Sequence, residues 1–364
     1  MLITTIAVIL VLGGLIFFHE LGHFSVARAL GMGVSTFSLG FGPKLLKKRV
    51  GKTEYALSLV PLGGYVALVG ETEDAEIPEG FSREEIFSLR PAWQRLLVVL
   101  AGPVANILMA WALCWALAFC WGTPVLQADV AAVMKDSPAE RAGLKAGDHI
   151  VSIDGKSIES WEEMSETIAK SDGRPMRLEV VRPAGEGASA PAETLYVTMS
   201  AERSTRKTIF GEEETAWLIG VRAGGRVLKK PETFFRAAVA GLVQTRDMIS
   251  LTWQSFVKLA QRVVPLDQVG GPIMIAQLVG EQAHQSLPGL LMLTALISIN
   301  LGILNLLPVP VLDGGTAVFC IIEIIARRPV PMKMQEWGMR VGIFLLIALM
   351  VLATFNDVWR LVKS

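Results

Sequence analysis

The stretch "LITTIAVILVLGGLIFFHELGHF", Leu2 to Phe24, decides how the rest of this chain is read. From Leu2 to Phe18 it holds no charge, and about 20 apolar residues suffice for a helix to cross a bilayer. Its end is different: His19, Glu20 and His23 crowd into five residues. An ionisable side chain at the centre of a span costs roughly 2.5–3.5 kcal/mol on insertion scales, so three together call for a compensating interaction. On a helix, residues i and i+4 share a face. His19 and His23 have that spacing and can hold one Zn²⁺, with Glu20 placed as general base on a water. Binding at structural zinc sites releases about 10–16 kcal/mol, more than the placement costs. The plainer reading of Glu20, an interfacial salt-bridge partner, finds no basic residue on its helix before Arg28.

The chain has 364 residues, 52% hydrophobic and 19% charged, with a mean hydropathy of +0.47. That balance is usual for a multispan membrane protein. A net charge of zero gives no nucleic-acid reading. Cys114, Cys120 and Cys320 lie in apolar runs and read as small buried hydrophobes. A cleaved signal peptide is the competing reading of the N-terminus, with "ARA" at Ala27–Ala29 as its site. The missing basic n-region and the intervening histidines favour a retained span.

Four stretches are long and apolar enough to span: Leu2–Phe24, Leu96–Trp121, the region Leu287–Ile325 interrupted by "PVPVLDGG", and Val341–Phe355. Lys44, Lys47, Lys48, Arg49, Lys52, Arg83, Arg90 and Arg95 fill the first loop, and Arg327, Arg328, Lys333 and Arg340 the last. Positive loops face the cytoplasm. The termini and residues 122–286 are therefore expected outside, against the mild dissent of Arg360 and Lys363.

From Gln127 to about Ala201 the composition reads as a soluble module. Strands are expected at Val130–Met134, Ile150–Ile153, Met176–Val181 and Thr194–Met199. A short helix capped by Ser137 and closed by Gly143, a turn at Asp154-Gly155 and a helix at Trp161–Ala169 complete it. "RPAGEGASAPAE" (182–193) reads as a polar hairpin loop. Residues 231–265 form a helical pattern broken by Arg236, Arg246, Asp247 and Lys258, suited either to the interface or to packing on the spans.

A catalytic zinc takes three protein ligands and keeps one position open. His149 and His284 fall on the far side of the expected membrane. Cys320 would reach only if the third span folds back. Asp313 follows a proline-broken apolar run, which is tolerated at membrane depth only against protein or a cavity. It is the better-placed third ligand; the plainer reading is a cap on the helix "TAVFCIIEII", and one residue could do both.

With these residues in hand a resemblance can be named. "HELGH", "PLGGYV" (Pro61–Val66), "AGPVANILMA" and "NLLPVPVLDGG" resemble the site-2 protease family, peptidase M50, of intramembrane zinc metalloproteases. The C-terminal half, with "FNDVWRL", is most similar to that family's bacterial sigma-E-regulating branch. The resemblance implies zinc held by His19, His23 and Asp313, with Glu20 activating water. It implies substrate contact at Asn305 and at a membrane-associated β element carrying Gly63 and Gly64, whose free edge suits β-augmentation by an unwound substrate. Gly102, Pro103 and Asn106 match the second-span motif and read as close helix packing near the site. Asn300 reads as helix-packing glue. Two departures stand out: one PDZ-like module where the nearest relatives carry two, and Thr316 where many have histidine.

The expectation is thus a polytopic α-helical membrane protein of four transmembrane segments with a membrane-associated β element and an inserted α+β PDZ-like domain. Its parts would be 1–121 and 287–364 as membrane halves, 122–225 as the PDZ-like domain and 226–286 as an amphipathic helical linker. It would be a zinc endopeptidase of the bacterial inner membrane, one Zn²⁺ per chain, with its active site toward the cytoplasm. Its partners would be the lipid bilayer, single-pass membrane proteins and peptide C-termini at the PDZ-like domain, and no nucleic acid. A scaffold with a structural zinc, or a metal transporter, are the competing classes. The scaffold sits poorly with an intact Glu20 and an open three-ligand site. The transporter sits poorly with polar residues gathered near one side.

Overall fold

The apolar run continues past Phe24 as helix α1 (Leu2–Ala29) in the computed structural model, which describes residues 2–71, 77–183 and 193–363. Two long strands follow, β1 (Val34–Val50) and β2 (Thr53–Leu68), and then helix α2 (Ala92–Trp121). β1 and β2 fold back on each other. Thr36 pairs with both Ala67 and Glu54, and Leu39 with both Gly64 and Leu57. The first part of β1 is therefore flanked on both sides by β2, while Lys44–Val50 pairs with Thr53–Ser58 and Gly64–Leu68 forms the opposite margin. An aromatic cluster seats the sheet on α1: Phe37 lies 5.8 Å from Phe17 and 5.2 Å from Phe24, ring to ring.

The chain divides into two compact units, one of Met1–Ala118 with Phe235–Ser364 and one of Phe119–Phe234. The second is β-rich: β3 (Thr123–Leu126), β4 (Val130–Val133), helix α3 (Pro138–Arg141), β5 (His149–Ile153), β6 (Lys156–Ser157), helix α4 (Trp161–Ala169), β7 (Pro175–Arg182), β8 (Glu193–Ser200), β9 (Glu202–Lys207), β10 (Glu213–Leu218), β11 (Val221–Ala223) and β12 (Val227–Lys230). A four-stranded sheet, β6-β5-β7-β8, is joined by three strand pairs: β9 with β10, β4 with β11, and β3 with β12. Ile150, Ile153, Met164, Leu178 and Val180 fill its core. Ser137 and Ser160 cap α3 and α4 by accepting from Glu140 and Glu163 amides. The expected strands and helices of this module are present. The unit also runs on past Ala201, through strands that sequence did not reveal because β9 is polar throughout, β12 has only four residues, and both are exposed with no buried alternation. Residues 184–192 of the expected polar loop lie outside the described residues.

The first unit resumes with α5 (Phe234–Ala260), α6 (Pro272–Gln285), α7 (Leu287–Asn305), α8 (Asp313–Ala326) and α9 (Met332–Lys363). Among the described residues, α1, α2, α7 and α9 are the four helices long and apolar enough to cross a membrane. The third expected span is divided. α7 runs its 19 residues, and α8, with 14, is only about 21 Å long, too short to cross. The segment 231–265 packs on spans. The Trp111 indole donates to the Ala238 carbonyl at 3.1 Å, and Thr252 donates to Asn300 of α7 at 3.0 Å. Gly241 admits the α2 backbone, since a Cβ there would stand 2.7 Å from the Trp115 nitrogen. Phe235, Val239 and Leu242 face outward on the same helix.

Candidate metal centre

The site forms where α1, α2 and the α7–α8 turn meet. α1 presents His19 and His23 one turn apart, their Nε2 atoms 3.2 Å from each other. α1 and α2 approach closely because both are glycine-notched at the contact. A Cβ on Gly22 would stand 2.3 Å from the Ala101 carbonyl oxygen. One on Gly102 would stand 2.3 Å from His23 Nε2 and 2.8 Å from His19 Cε1. Gly102 therefore vacates the volume that the two imidazoles fill.

The third group arrives from the other half of the unit. α7 ends at Asn305, and the segment 306–312, with Pro308 and Pro310, cannot continue it. Gly314 and Gly315 let the first turn of α8 seat directly on that segment, where added Cβ atoms would strike the Leu307 and Val309 carbonyl oxygens at 2.3 Å. The turn swings Asp313 onto the histidines: Oδ2 lies 3.2 Å from His19 Nε2 and 3.6 Å from His23 Nε2. Asp313 does not cap α8, whose cap position is Leu312.

The donor set fits a divalent metal. His23 Nδ1 is 2.8 Å from the Val98 carbonyl, which can only accept, so the ring proton sits on Nδ1 and Nε2 is bare. The Asn106 amide nitrogen lies 3.2 Å from His19 Nδ1 while its Oδ1 is buried without a partner; with the amide turned over, that oxygen accepts the Nδ1 proton and satisfies both groups. Two bare imidazole nitrogens and a carboxylate oxygen then face one another. Asp313 Oδ2 is buried without a hydrogen-bond donor. Three acceptors so placed repel unless a cation lies among them. Tetrahedral Zn²⁺ with bonds of about 2.0–2.1 Å sets its ligand atoms about 3.3 Å apart, the spacing found here. His19, His23 and Asp313 are also the group of metal-ligating side chains that converges among the described residues.

The remaining expected residues surround this cluster. Glu20 lies against the β2 margin, in reach of the Val66 backbone amide. Gly64 sits beside it: a Cβ there would be 3.5 Å from Glu20 Cγ and 2.8 Å from the Ser38 carbonyl oxygen. Gly63 is covered by the Phe41 ring, which a side chain would strike. Asn305 places Nδ2 3.3 Å from His19 Nε2. The Pro103 carbonyl packs against Gly302 of α7. Asn106 does more than pack: fully buried, it touches His19 and accepts from Ser298 at its carbonyl, 2.7 Å away. The candidates set aside are elsewhere. His149 pairs with Asp129 at 2.7 Å in the β-rich unit, and His284 lies 3.5 Å from Thr4 at the far end of α1. Cys320 is buried away from the cluster. Val98 was not foreseen, because a backbone carbonyl leaves no mark in a sequence.

Residues 7–349 match the sequence profile described as peptidase family M50. A protein of Agrobacterium fabrum is 34% identical over 368 residues, covering 97% of this chain and 95% of its own. One of Campylobacter jejuni is 33% identical, over 98% and 94%. One of Clostridium perfringens is 32% identical, over 96% and 97%. Each carries a zinc-metalloprotease designation.

Proposed function

This chain belongs to peptidase family M50, and from that premise we propose that it is a zinc-dependent intramembrane endopeptidase that cuts single-span membrane proteins. The coarser statement, a zinc metalloprotease of the membrane, rests on the family, the designations of its relatives and the four apolar helices. The observation that carries the finer one is the convergence of His19, His23 and Asp313, with Glu20 alongside, where the span-length helix α1 meets the first turn of α8.

His19, His23 and Asp313 would hold the metal, one ion per chain. Bound there, zinc supplies Lewis-acid polarisation of a carbonyl and acidifies water. Val98 and Asn106 orient the imidazoles through their Nδ1 atoms. The Glu20 carboxylate takes a proton from the attacking water and delivers it to the leaving amine nitrogen. A helical substrate hides its amides in its own hydrogen bonds. The margin Gly64–Leu68 would pair with an unwound stretch, and Gly63, Gly64 and Asn305 would contact it. Substrates would be anti-sigma-factor or signal-peptide remnants in regulated intramembrane proteolysis. The active site would face the cytoplasm of a bacterial inner membrane. The β-rich unit would be an extracytoplasmic PDZ-like domain that receives peptide C-termini.

Glu20→Gln is the deciding variant. Full-length protein carrying it should retain one equivalent of zinc and lose cleavage of a single-span substrate by at least about 100-fold, the scale of general-base catalysis. Cleavage at the wild-type rate with zinc intact would refute the mechanism.

A further inference from the structure

The strand segment Lys44–Val50 forms the margin of the β1–β2 sheet opposite the one beside Glu20. Within the described residues it pairs on one side only, with Thr53–Ser58. All seven of its residues are exposed. Lys44, Lys47, Lys48 and Arg49 lie on it and Lys52 in the turn beyond, while Glu54 is the lone acid of the paired segment. Apolar side chains stand among these charges: Leu46 is 67% exposed, Leu45 58% and Val50 56%. The register sets Lys48 opposite Tyr55 on one face, and Lys47 opposite Ala56 on the other. Cations therefore emerge on both faces of the margin.

A solvated edge would use lysines to deter pairing and would have no use for open leucines. An apolar stretch rimmed by cations is the composition of a membrane-surface contact. Lys44, in register with Ser58, carries its ammonium along the strand to pair with Glu54. The sheet itself is seated on α1 at Phe17–Phe24, the end of the span that bears the metal ligands. That position sets the margin at a membrane face, and unpaired edge amides there need acceptors, which phosphodiester oxygens provide.

We propose that Lys44–Val50 is a docking surface for anionic phospholipid, with Lys47, Lys48 and Arg49 on the phosphates and Leu45, Leu46 and Val50 among the acyl chains. The bound lipid holds the sheet at the depth where its other margin flanks Glu20. The inference depends on α1 being a span and not on the peptidase reading, so lipid binding is read out separately from cleavage.

The test uses the full chain in neutral detergent. Phosphatidylglycerol or phosphatidylcholine is titrated in, and retained lipid is counted by native mass spectrometry. Wild type should hold phosphatidylglycerol in preference to phosphatidylcholine. K47Q/K48Q/R49Q should weaken phosphatidylglycerol binding by about 10- to 100-fold, given the attraction of each basic residue to an anionic surface. K47R/K48R/R49K should keep it, which separates loss of charge from loss of fold. Equal binding of the two lipids by wild type, or undiminished phosphatidylglycerol binding by the Gln variant, overturns the proposal. So does a Gln variant that self-associates with its lipid binding intact, since the charges would then only protect the edge.

Discussion

Single residues around the cluster matter through volume and proton placement. Gly102 has no side chain because two imidazoles occupy that space. Gly102→Ala should push His23 off its Val98 partner and lower zinc content at equilibrium to well below one per chain. Full zinc occupancy, measured by elemental analysis, would show that the helices yield instead. Asn106 faces His19 Nδ1, and its amide turned oxygen-first holds the ring proton there. Losing such an outer partner typically costs about 10–100-fold in metal affinity, so Asn106→Ala should weaken zinc by that factor in a chelator competition. Asn106→Asp, which keeps an acceptor, should retain most of it. The motif "HELGH" was legible in sequence because helical spacing alone makes His19 and His23 neighbours. The role of Asn106 was only half legible. Its place beside a packing motif was visible, but the contact with His19 depends on how α1 and α2 cross.

At the scale of elements, the α7–α8 turn and the α6–α9 contact do comparable work within the first unit. Asp357 of α9 is buried and accepts from the amides of Gly271, Ile273 and Met274, at 2.9, 3.0 and 3.0 Å. It thus caps α6 from another helix, since Gly271 at the cap position has no side chain to do so. Asn356 adds a bond to the Val269 carbonyl, and Arg360 one to the Asp267 carbonyl. Arg360, which dissented from the charge rule, is thus partly engaged in holding this loop. Asp357→Ala leaves three amides without their acceptor and should destabilise the protein by about 1–3 kcal/mol, seen as a lower thermal midpoint in detergent. An unchanged midpoint would mean that water replaces the carboxylate. Sequence showed "FNDVWRL" as a motif and gave no sign of its partner, because a cap supplied across about 85 residues has no local pattern.

At the scale of the whole molecule, the β-rich unit carries a pH dependence of its own. In the β-rich unit, the Asp148 carboxylate is fully buried, bonded to Arg182 at 2.7 and 2.9 Å and to the Lys145 amide at 2.8 Å. Burial works to raise its pKa, and these hydrogen bonds outweigh it and hold the group below the usual carboxylate range. A depressed folded pKa gives stability that is complete above the unfolded value of about 3.9 and is lost as pH falls through the lower folded one. Hydrogen exchange on the full chain should therefore show protection of residues 128–182 declining below about pH 4. Asp148→Asn should flatten that decline. A decline of equal steepness in the variant would assign it to other groups.

Sequence by itself determined the membrane class, the four spans, the strands and helices of the inserted module up to Ala201, and three of the four chemical groups of the site. Each of these is a local property: apolar length, period, cap, or helical spacing. Tertiary structure decided the rest. It brought Asp313 onto the histidines and made α8 a half-length helix rather than part of a span. It also set α5 against α2 and α7. The physical reason is the same in each case. A proline-broken turn and a charged amphipathic helix are compatible with several placements, and only the packing of glycine-notched helices against one another selects among them.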